Sequence, residues 1–590
     1  MMDRPIRADT PVARPPATAA PLPELNEARR YLWILAIGFS LAWLAVLGMR
    51  TLVPPDEARY AELAREMFLS HDWVTMRLNG IKYFEKPPLQ TWMSALSFTL
   101  FGVGEWQARL WTGLCGLFGV FFTGYAAWRV FGARVGVYAA LVLGSSLYWV
   151  ASGQIDSLDM GLSAMLTLSL GAMLIAQRDE AGAGERRNWM LACWAGMALA
   201  LLSKGLIGLV IPGAVLLLHT LVTRDRGRWR ALHAGKGLLL LLLIAAPWFL
   251  LVAWRNPEQP YFFFVHEHLQ RYATDVHKRE GGWYYFLLLL VAGMVPWIAL
   301  LPASVQAGLR GGTGRSRPRL LLLLWAGFIL LFFSLSHSKL PGYIVPMFPA
   351  LAILTALAWA EGTPRSLAVA AATAAAIGLA LALAVPLAAR LRPVPGGPLA
   401  TWTIWALAGG GALCALAALA WRRIGRGARD LPLALIAIGG FLAAELMLAG
   451  FEPYGRLRAG MALLPAIRAE LAPATKFYAV GTYEQAFPFY LRHRLLLVEY
   501  SDEFAFGQQQ EPDKFISLAA FRQQWLADAA AGVRDLALMR PDIARALAAA
   551  GVPMRVIADD GRRRVVTNLA RPAWPASAAQ AAPRPDLPRP

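Results

Sequence analysis

Apolar residues fall in long runs near 32–49, 106–128, 135–151, 160–177, 237–254, 284–303, 320–335, 342–359, 366–387, 401–421 and 431–449. A helix needs about 20 such residues to cross a bilayer. Residues 189–222 form a further run, interrupted by Ser203-Lys204-Gly205. A lysine in mid-membrane is costly, so this run reads as two spans joined by a tight turn, and the pattern predicts a polytopic α-helical membrane protein of about 13 spans. Residues 87–104 are also apolar, but they open on Pro87-Pro88 and hold Gly102 and Gly104. They predict a helix lying along the membrane surface.

Basic residues test this count. Arg129 and Arg134, then Arg178, Arg186 and Arg187, then Arg224, Arg226, Arg228 and Arg230 follow even-numbered spans. The clusters at Arg310 to Arg319, at Arg365 and at Arg422 to Arg429 do the same, with Arg390 and Arg392 as the exception. Short loops rich in Lys and Arg stay in the cytoplasm, so the N-terminus is inside and the C-terminus outside. A fourteenth span at 87–104 would break the alternation.

With 57% hydrophobic and 16% charged residues among 590, too little polar surface exists for a soluble enzyme. The net charge of +19 is largely this topology signal. The basic stretches lack interleaved aromatics, so nucleic acid is not an expected partner. Cys115, Cys193 and Cys414 each lie in an apolar run and fit neither a disulfide framework nor a zinc site.

Residues 1–28 read as a Pro- and Ala-rich disordered tail, 29–451 as the membrane domain with a large first outer loop at 50–105, and 571–590 as a second Pro/Ala-rich tail. Between 452 and 570 the composition turns soluble. A helical pattern at 460–471, strands at 476–480, 495–498 and 536–539, and an amphipathic helix at 515–530 predict an α/β domain. Asp559-Asp560-Gly561 marks a hairpin turn between two further strands. No Gly-rich phosphate loop occurs there, so this domain reads as a lid or docking module rather than the chemical centre.

Candidate chemistry gathers on the outer face. Pro54-Pro55-Asp56-Glu57-Ala58-Arg59-Tyr60 places two adjacent carboxylates directly after the first span. Carboxylates also suit a helix start, and both readings stand on sequence alone. Tyr83-Phe84-Glu85-Lys86-Pro87-Pro88 sets a Glu and a Lys beside aromatics. Asp156 and Asp159 open a later span, Phe264-Val265-His266-Glu267-His268 leads to Arg271, and Ser334 to Tyr343 carries Lys339. Five polar clusters from separate spans therefore converge on one membrane face.

The Asp-Glu pair closing the first span, Phe-Glu-Lys-Pro-Pro-Leu, and Ser-Lys-Leu-Pro-Gly-Tyr together resemble the polyprenyl-phosphate sugar transferases of the GT-C superfamily over residues 30 to 450. Within it the chain is most similar to the lipid A aminoarabinose transferases, with a wider likeness to protein O-mannosyltransferases. The resemblance implies a GT-C type fold in the bacterial inner membrane with a site facing the periplasm. It implies transfer of 4-amino-4-deoxy-L-arabinose from undecaprenyl phosphate to a lipid A phosphate, the modification that confers resistance to polymyxin and other cationic peptides. By the same resemblance Asp56 takes the place of an essential first-loop aspartate, and Lys86 and Arg271 look like ligands of the carrier phosphate. Other polyprenyl-phosphate sugar transferases, including those that act on protein, share these motifs and form the alternative.

Charge supplies the rest of the expectation. A departing lipid phosphate gains negative charge, so cations aimed at it lower the barrier; Lys86, Arg271 and Lys204 are the candidates, with Lys339 behind them. Tyr60, Tyr83 and Tyr343 lie in the same motifs and are assigned to substrate binding. Asp56 and Glu57 are the candidate catalytic acids, and Asp159 is placed to hold the sugar's amino group. An anionic acceptor needs no general base, and a single displacement would invert the anomeric centre. Catalysis is expected to need no metal or other cofactor, although His266 and Glu85 could hold a structural zinc that pins two outer loops together. A secondary transporter also has many spans, but its charges lie near the midplane in repeated halves, and the clusters here gather at one surface.

Overall fold

The structure, a computed structural model, describes residues 22–264, 266, 281–311, 314–391, 398–424, 426 and 428–569. Arg271, Glu267 and His268 lie outside the described residues. The chain divides after Ala45 into two units. The first holds helix α1 (Leu22–Val46), apolar from Leu32 onward.

The second unit opens with α2 (Asp56–Ser70), the hairpin β1 (Arg77–Leu78) and β2 (Ile81–Lys82), and α3 (Leu89–Phe101). Long helices follow: α4 (Glu105–Phe131), α5 (Ala133–Ser145), α6 (Leu147–Gln154), α7 (Leu158–Ala176), α8 (Ala183–Lys204) and α9 (Ile207–Thr223). Further apolar helices run from Ala234–Arg255 to Asp430–Ala449. Each run marked by the hydropathy pattern is helical. Among the described residues eight helices are long and apolar enough to cross a membrane, or ten when two bent pairs count as one span each. Three further expected spans fall outside that measure: the apolar stretch Leu32–Val46 and the 17-residue α9 are shorter, and α8 carries Glu185, Arg186 and Arg187 near its start and Lys204 at its end. The bent pairs are α5 with α6, at 61°, and Tyr285–Gly293 with Ile298–Leu309, at 113°.

The expected turn inside 189–222 is present. Helix α8 ends on Lys204, and Gly205 takes φ +90° before α9 begins, a backbone state open to glycine. Helix α3 has 13 residues, so it is about 20 Å long, short of the roughly 30 Å hydrocarbon core. It packs on α2 and α4.

The C-terminal region is α/β, with a five-stranded sheet of order β4-β3-β5-β7-β6. Its strands are β3 (Lys476–Val480), β4 (Leu496–Val498), β5 (Asp535–Met539), β6 (Arg555–Asp559) and β7 (Arg564–Thr567). The first three are parallel, and β7 and β6 add antiparallel. Gly561 at φ +81° makes the turn between β6 and β7. The helix expected at 460–471 is a 3-10 turn at Met461–Leu463 followed by a helix at Leu464–Glu470. One face of the sheet, with Phe477, Ala479, Leu536, Leu538 and Val565, is buried in the same core as Ala61, Leu63, Ala64 and Met67 of α2. The other face, with Tyr478, Val480, Ala537 and Met539, packs on Phe521 and Trp525.

Helix α2 is locked at its start. Arg109 of α4 is fully buried, and its guanidinium grips the Glu57 carboxylate through Nε at 2.7 Å and Nη2 at 2.9 Å. The same guanidinium donates to the carbonyls of Leu47, Arg50 and Thr51. Glu57 also accepts from the backbone N–H groups of Val53 and Asp156, each at 2.9 Å. Burial pushes the Glu57 carboxyl up, but the charge and hydrogen bonds of Arg109, helped by Arg50, hold it below its ordinary value. Beneath this pair, Asp156 accepts from Gln90 at 2.6 Å and Thr112 at 3.3 Å, and Gln154 donates to Glu445 at 3.0 Å. The segment from Leu47 to Glu57 is thus held to α4 and to the turn between α6 and α7.

Removing one partner of a buried ion pair leaves an uncompensated charge and costs about 3–5 kcal/mol. Arg109→Leu should destabilise by that amount, and adding Glu57→Leu should recover part of it. Thermal unfolding in detergent measures both.

Candidate active site

Asp56 is the first residue of α2, directly before the locked Glu57. Its side chain makes no helix cap, is 57% exposed, and meets Arg59 at 3.2 Å. The chain therefore separates the adjacent carboxylates: one is enclosed in protein and the other is presented. This corrects the expectation for Glu57 as a catalytic acid. At 1% exposure and bound on all sides, it cannot touch a substrate and is a positioning residue.

One turn on, the Arg59 guanidinium forms an ion pair with Glu503, with Nε 2.7 Å from a carboxylate oxygen. Tyr60 is buried, and burial pushes its phenol well above the ordinary value, with the charge of Asp56 adding to this and that of Arg59 opposing it. Asp159 and Glu85 add smaller upward effects on the same phenol. The turn after β2 brings up Tyr83, whose hydroxyl donates to Glu85 at 3.0 Å. Lys86 donates to the Glu85 carbonyl at 3.0 Å and lies 3.7 Å from its carboxylate.

The membrane helices supply the floor. Asp159, at the start of α7, is ion-paired with Lys204, at the end of α8. The Lys204 ammonium also lies 4.7 Å from the centre of the Tyr343 ring, a cation–π contact. Any side chain on Gly342 would run into the Asp159 carboxylate, so the glycine of Ser-Lys-Leu-Pro-Gly-Tyr is what lets that loop close over Asp159. Lys339 is placed otherwise than expected. Its ammonium donates to the carbonyls of Ser334 at 3.1 Å and Ser336 at 2.6 Å, and so caps the end of helix Pro318–Leu335.

Two groups escaped the sequence reading: Arg59 and Glu503. The second comes from the C-terminal region, which had been read as a lid or docking module and contributes directly to this cluster. Glu503 also accepts from Gln485. Burial pushes its carboxyl up to about 7, against the opposing charge of Arg59 and with small additions from Glu85 and Asp502. Phe506, one turn later, stacks on Phe262 at 4.0 Å and meets Phe84 edge-on at 6.2 Å. His266 stacks on Phe262 at 5.0 Å, so two rings, Phe262 and Phe506, separate it from Phe84. Among the described residues no three His, Cys, Asp or Glu side chains group as metal ligands. Glu85 and His266 alone are fewer than the three or four protein ligands zinc takes.

The chain was compared with known proteins. Residues 463–568 match the family model described as aminoarabinose transferase C-terminal domain. Residues 85–254 match dolichyl-phosphate-mannose-protein mannosyltransferase. The crystal structure of ArnT from Cupriavidus metallidurans bound to undecaprenyl phosphate superposes with a TM-score of 0.86 at 41% identity, over 92% of this chain and 99% of that one. The chain belongs to the ArnT family. Among curated relatives, the undecaprenyl phosphate-alpha-4-amino-4-deoxy-L-arabinose arabinosyl transferase of Edwardsiella ictaluri is 33% identical over 328 residues, 55% of this chain. One from Pseudomonas fluorescens is 34% identical over 325 residues. Each of these two matches spans 58% of the relative's length. The ArnT-like architecture accounts for the union of apolar helices with a sheet-bearing C-terminal domain.

The Glu503 environment makes a stability prediction. Its folded pKa is raised, so its contribution to stability is present below the ordinary value of 4.5 and is lost as pH rises through about 7. Between pH 5 and 8 the parent should lose up to about 3 kcal/mol relative to Glu503→Gln. Denaturation of the two proteins across that range tests the sign.

Proposed function

We propose that this protein transfers 4-amino-4-deoxy-L-arabinose from undecaprenyl phosphate to a phosphate of lipid A. It does so in the bacterial inner membrane with the site facing the periplasm. The observation that supports the reading is the set of charged pairs beside the exposed Asp56: Arg59 joins Asp56 to Glu503 of the C-terminal region, Lys86 lies beside Glu85, and Lys204 pairs with Asp159. Family membership supports the same donor and sugar.

Breaking the glycosidic bond builds charge on the carrier phosphate. Lys86 and Lys204 neutralise it, which lowers the barrier; Arg271, outside the described residues, is assigned to the same phosphate. Lys204 is preset for this by Asp159 and the face of Tyr343. The sugar carries an ammonium group and gains positive charge at its anomeric carbon. Asp56 faces that developing charge, while Asp159 and Glu503 hold the ammonium. Tyr60 and Tyr83 remain protonated and serve as neutral hydrogen-bond donors. The acceptor phosphate is already an anion, so no proton need be removed, and the single displacement inverts the anomeric centre. No step requires a metal, and a zinc held by Glu85 and His266 would act only by fixing the Glu85–Lys86 loop.

The test is reconstitution of the purified protein with labelled carrier-linked sugar, offered either lipid A or a Ser/Thr-rich peptide. Label on a lipid A phosphate is the expected result; label on the peptide alone would move the protein to the mannosyltransferase-like alternative. In the same assay Asp56→Asn should lower turnover by about a thousandfold or more with the fold intact, the scale of losing a charge aimed at the transition state. Lys86→Ala should raise KM and lower kcat together. Chelation should leave turnover unchanged, and activity lost on chelation and restored by zinc would overturn the metal-free mechanism.

A further inference from the structure

A second cleft opens away from Asp56. It has a volume of about 450 Å³ and lies between the turn Val103–Glu105, which leads into α4, and the C-terminal residues Arg468, Phe489, Tyr490 and Arg492. Its two walls thus come from the two separately matched regions of the chain. Arg492 donates to the Val103 carbonyl at 3.0 Å and lies 5.0 Å from the Phe489 ring centre. Arg468 donates to the Tyr490 carbonyl at 3.0 Å. A guanidinium has five N–H donors, so each keeps most of its hydrogen-bonding capacity.

The nearby carboxylates do not consume it. Glu62 is held bidentately by Arg65 at 2.7 Å, and Glu66 by Arg494 at 3.0 Å. Among the described residues neither Arg468 nor Arg492 has an ion-pair partner within 4.0 Å. Glu105 lines the cleft but leaves it a net positive charge. Arg492 also sits at φ +58°, a backbone state in which a glycine would be unstrained, so the side chain is kept there against local preference.

Position selects the occupant. The cleft begins immediately after α3, whose Leu96, Leu100 and Phe101 are 41%, 64% and 55% exposed, and it adjoins the first residue of membrane helix α4. Paired guanidiniums are the fork that matches phosphate, and an adjoining apolar surface suits acyl chains. We propose that this cleft binds the phosphate of an anionic, phosphorylated membrane lipid, with Arg468 and Arg492 on the anion and Val103 and the exposed Leu100 and Phe101 of α3 against its apolar part. The inference does not depend on the reaction proposed above.

Native mass spectrometry of the full chain in detergent tests it, with phosphatidylglycerol, lipid A or phosphatidylcholine as the added lipid. The parent should retain the anionic lipids over phosphatidylcholine. Arg468→Gln with Arg492→Gln should weaken that retention by about tenfold, the scale of losing charge-assisted bonds at a partly exposed site. Glu105→Gln, which removes the one opposing carboxylate, should strengthen it severalfold and so reports in the opposite direction should the double variant fold poorly. Loss confined to lipid A assigns the cleft to the acceptor lipid; loss for both assigns it to anionic phosphorylated lipids in general. Unchanged retention by the double variant, no gain in Glu105→Gln, or equal competition by inorganic phosphate alone would overturn the proposal.

Discussion

An arginine enclosed in protein at the end of a membrane helix must satisfy its charge from the groups around it, and Arg109 does so with Glu57. Alone, either group would be too costly to bury. Together, with three backbone carbonyls on the guanidinium and two backbone N–H groups on the carboxylate, they fix the segment that leaves the membrane. Fixing Glu57 fixes the residue before it. Asp56 is then pointed into the open cluster while its neighbour is spent on structure, a division of labour between adjacent acids that only the fold can make.

The same helix joins the two parts of the molecule. Helix α2 presents Asp56, Arg59 and Tyr60 to the site, and buries Ala61, Leu63, Ala64 and Met67 in the core shared with the C-terminal sheet. Glu503 is brought to Arg59 by that packing, reinforced by Asn79, which exchanges hydrogen bonds with Leu495, and by the Arg77 side chain and the Lys82 backbone N–H on Glu511. The C-terminal domain is therefore a wall of the site.

Much of this was legible in the chain. Apolar runs gave every membrane helix, because desolvation dictates helix wherever lipid surrounds the backbone. Asp56, Lys86, Asp159 and Lys204 stood out because polar groups beside apolar runs are expensive and therefore few. The failures share one cause, contacts between residues distant in sequence. Arg109 sat near the start of an apolar run and could have been taken for a snorkelling side chain; its position facing Glu57 follows only from the packing of α4 on the first loop. Glu503 and Arg59 belong to different regions, and Glu503 lies in an ordinary polar stretch with no motif. Lys339 was read as a phosphate ligand because its motif is recognisable, whereas its reach back to Ser334 and Ser336 depends on where one helix ends.

The central claim is that the Glu57–Arg109 pair acts on catalysis only by placing Asp56. Its most direct test is a pair of measurements on Glu57→Gln, which keeps the carbonyl oxygen for the backbone donors and removes the charge. The affinity for undecaprenyl phosphate should stay near the parent value, since Lys86 and Lys204 are untouched, while kcat should fall by about tenfold or more through misplacement of Asp56. Parent-like kcat in a variant whose thermal stability shows the ion pair to be broken would contradict the account.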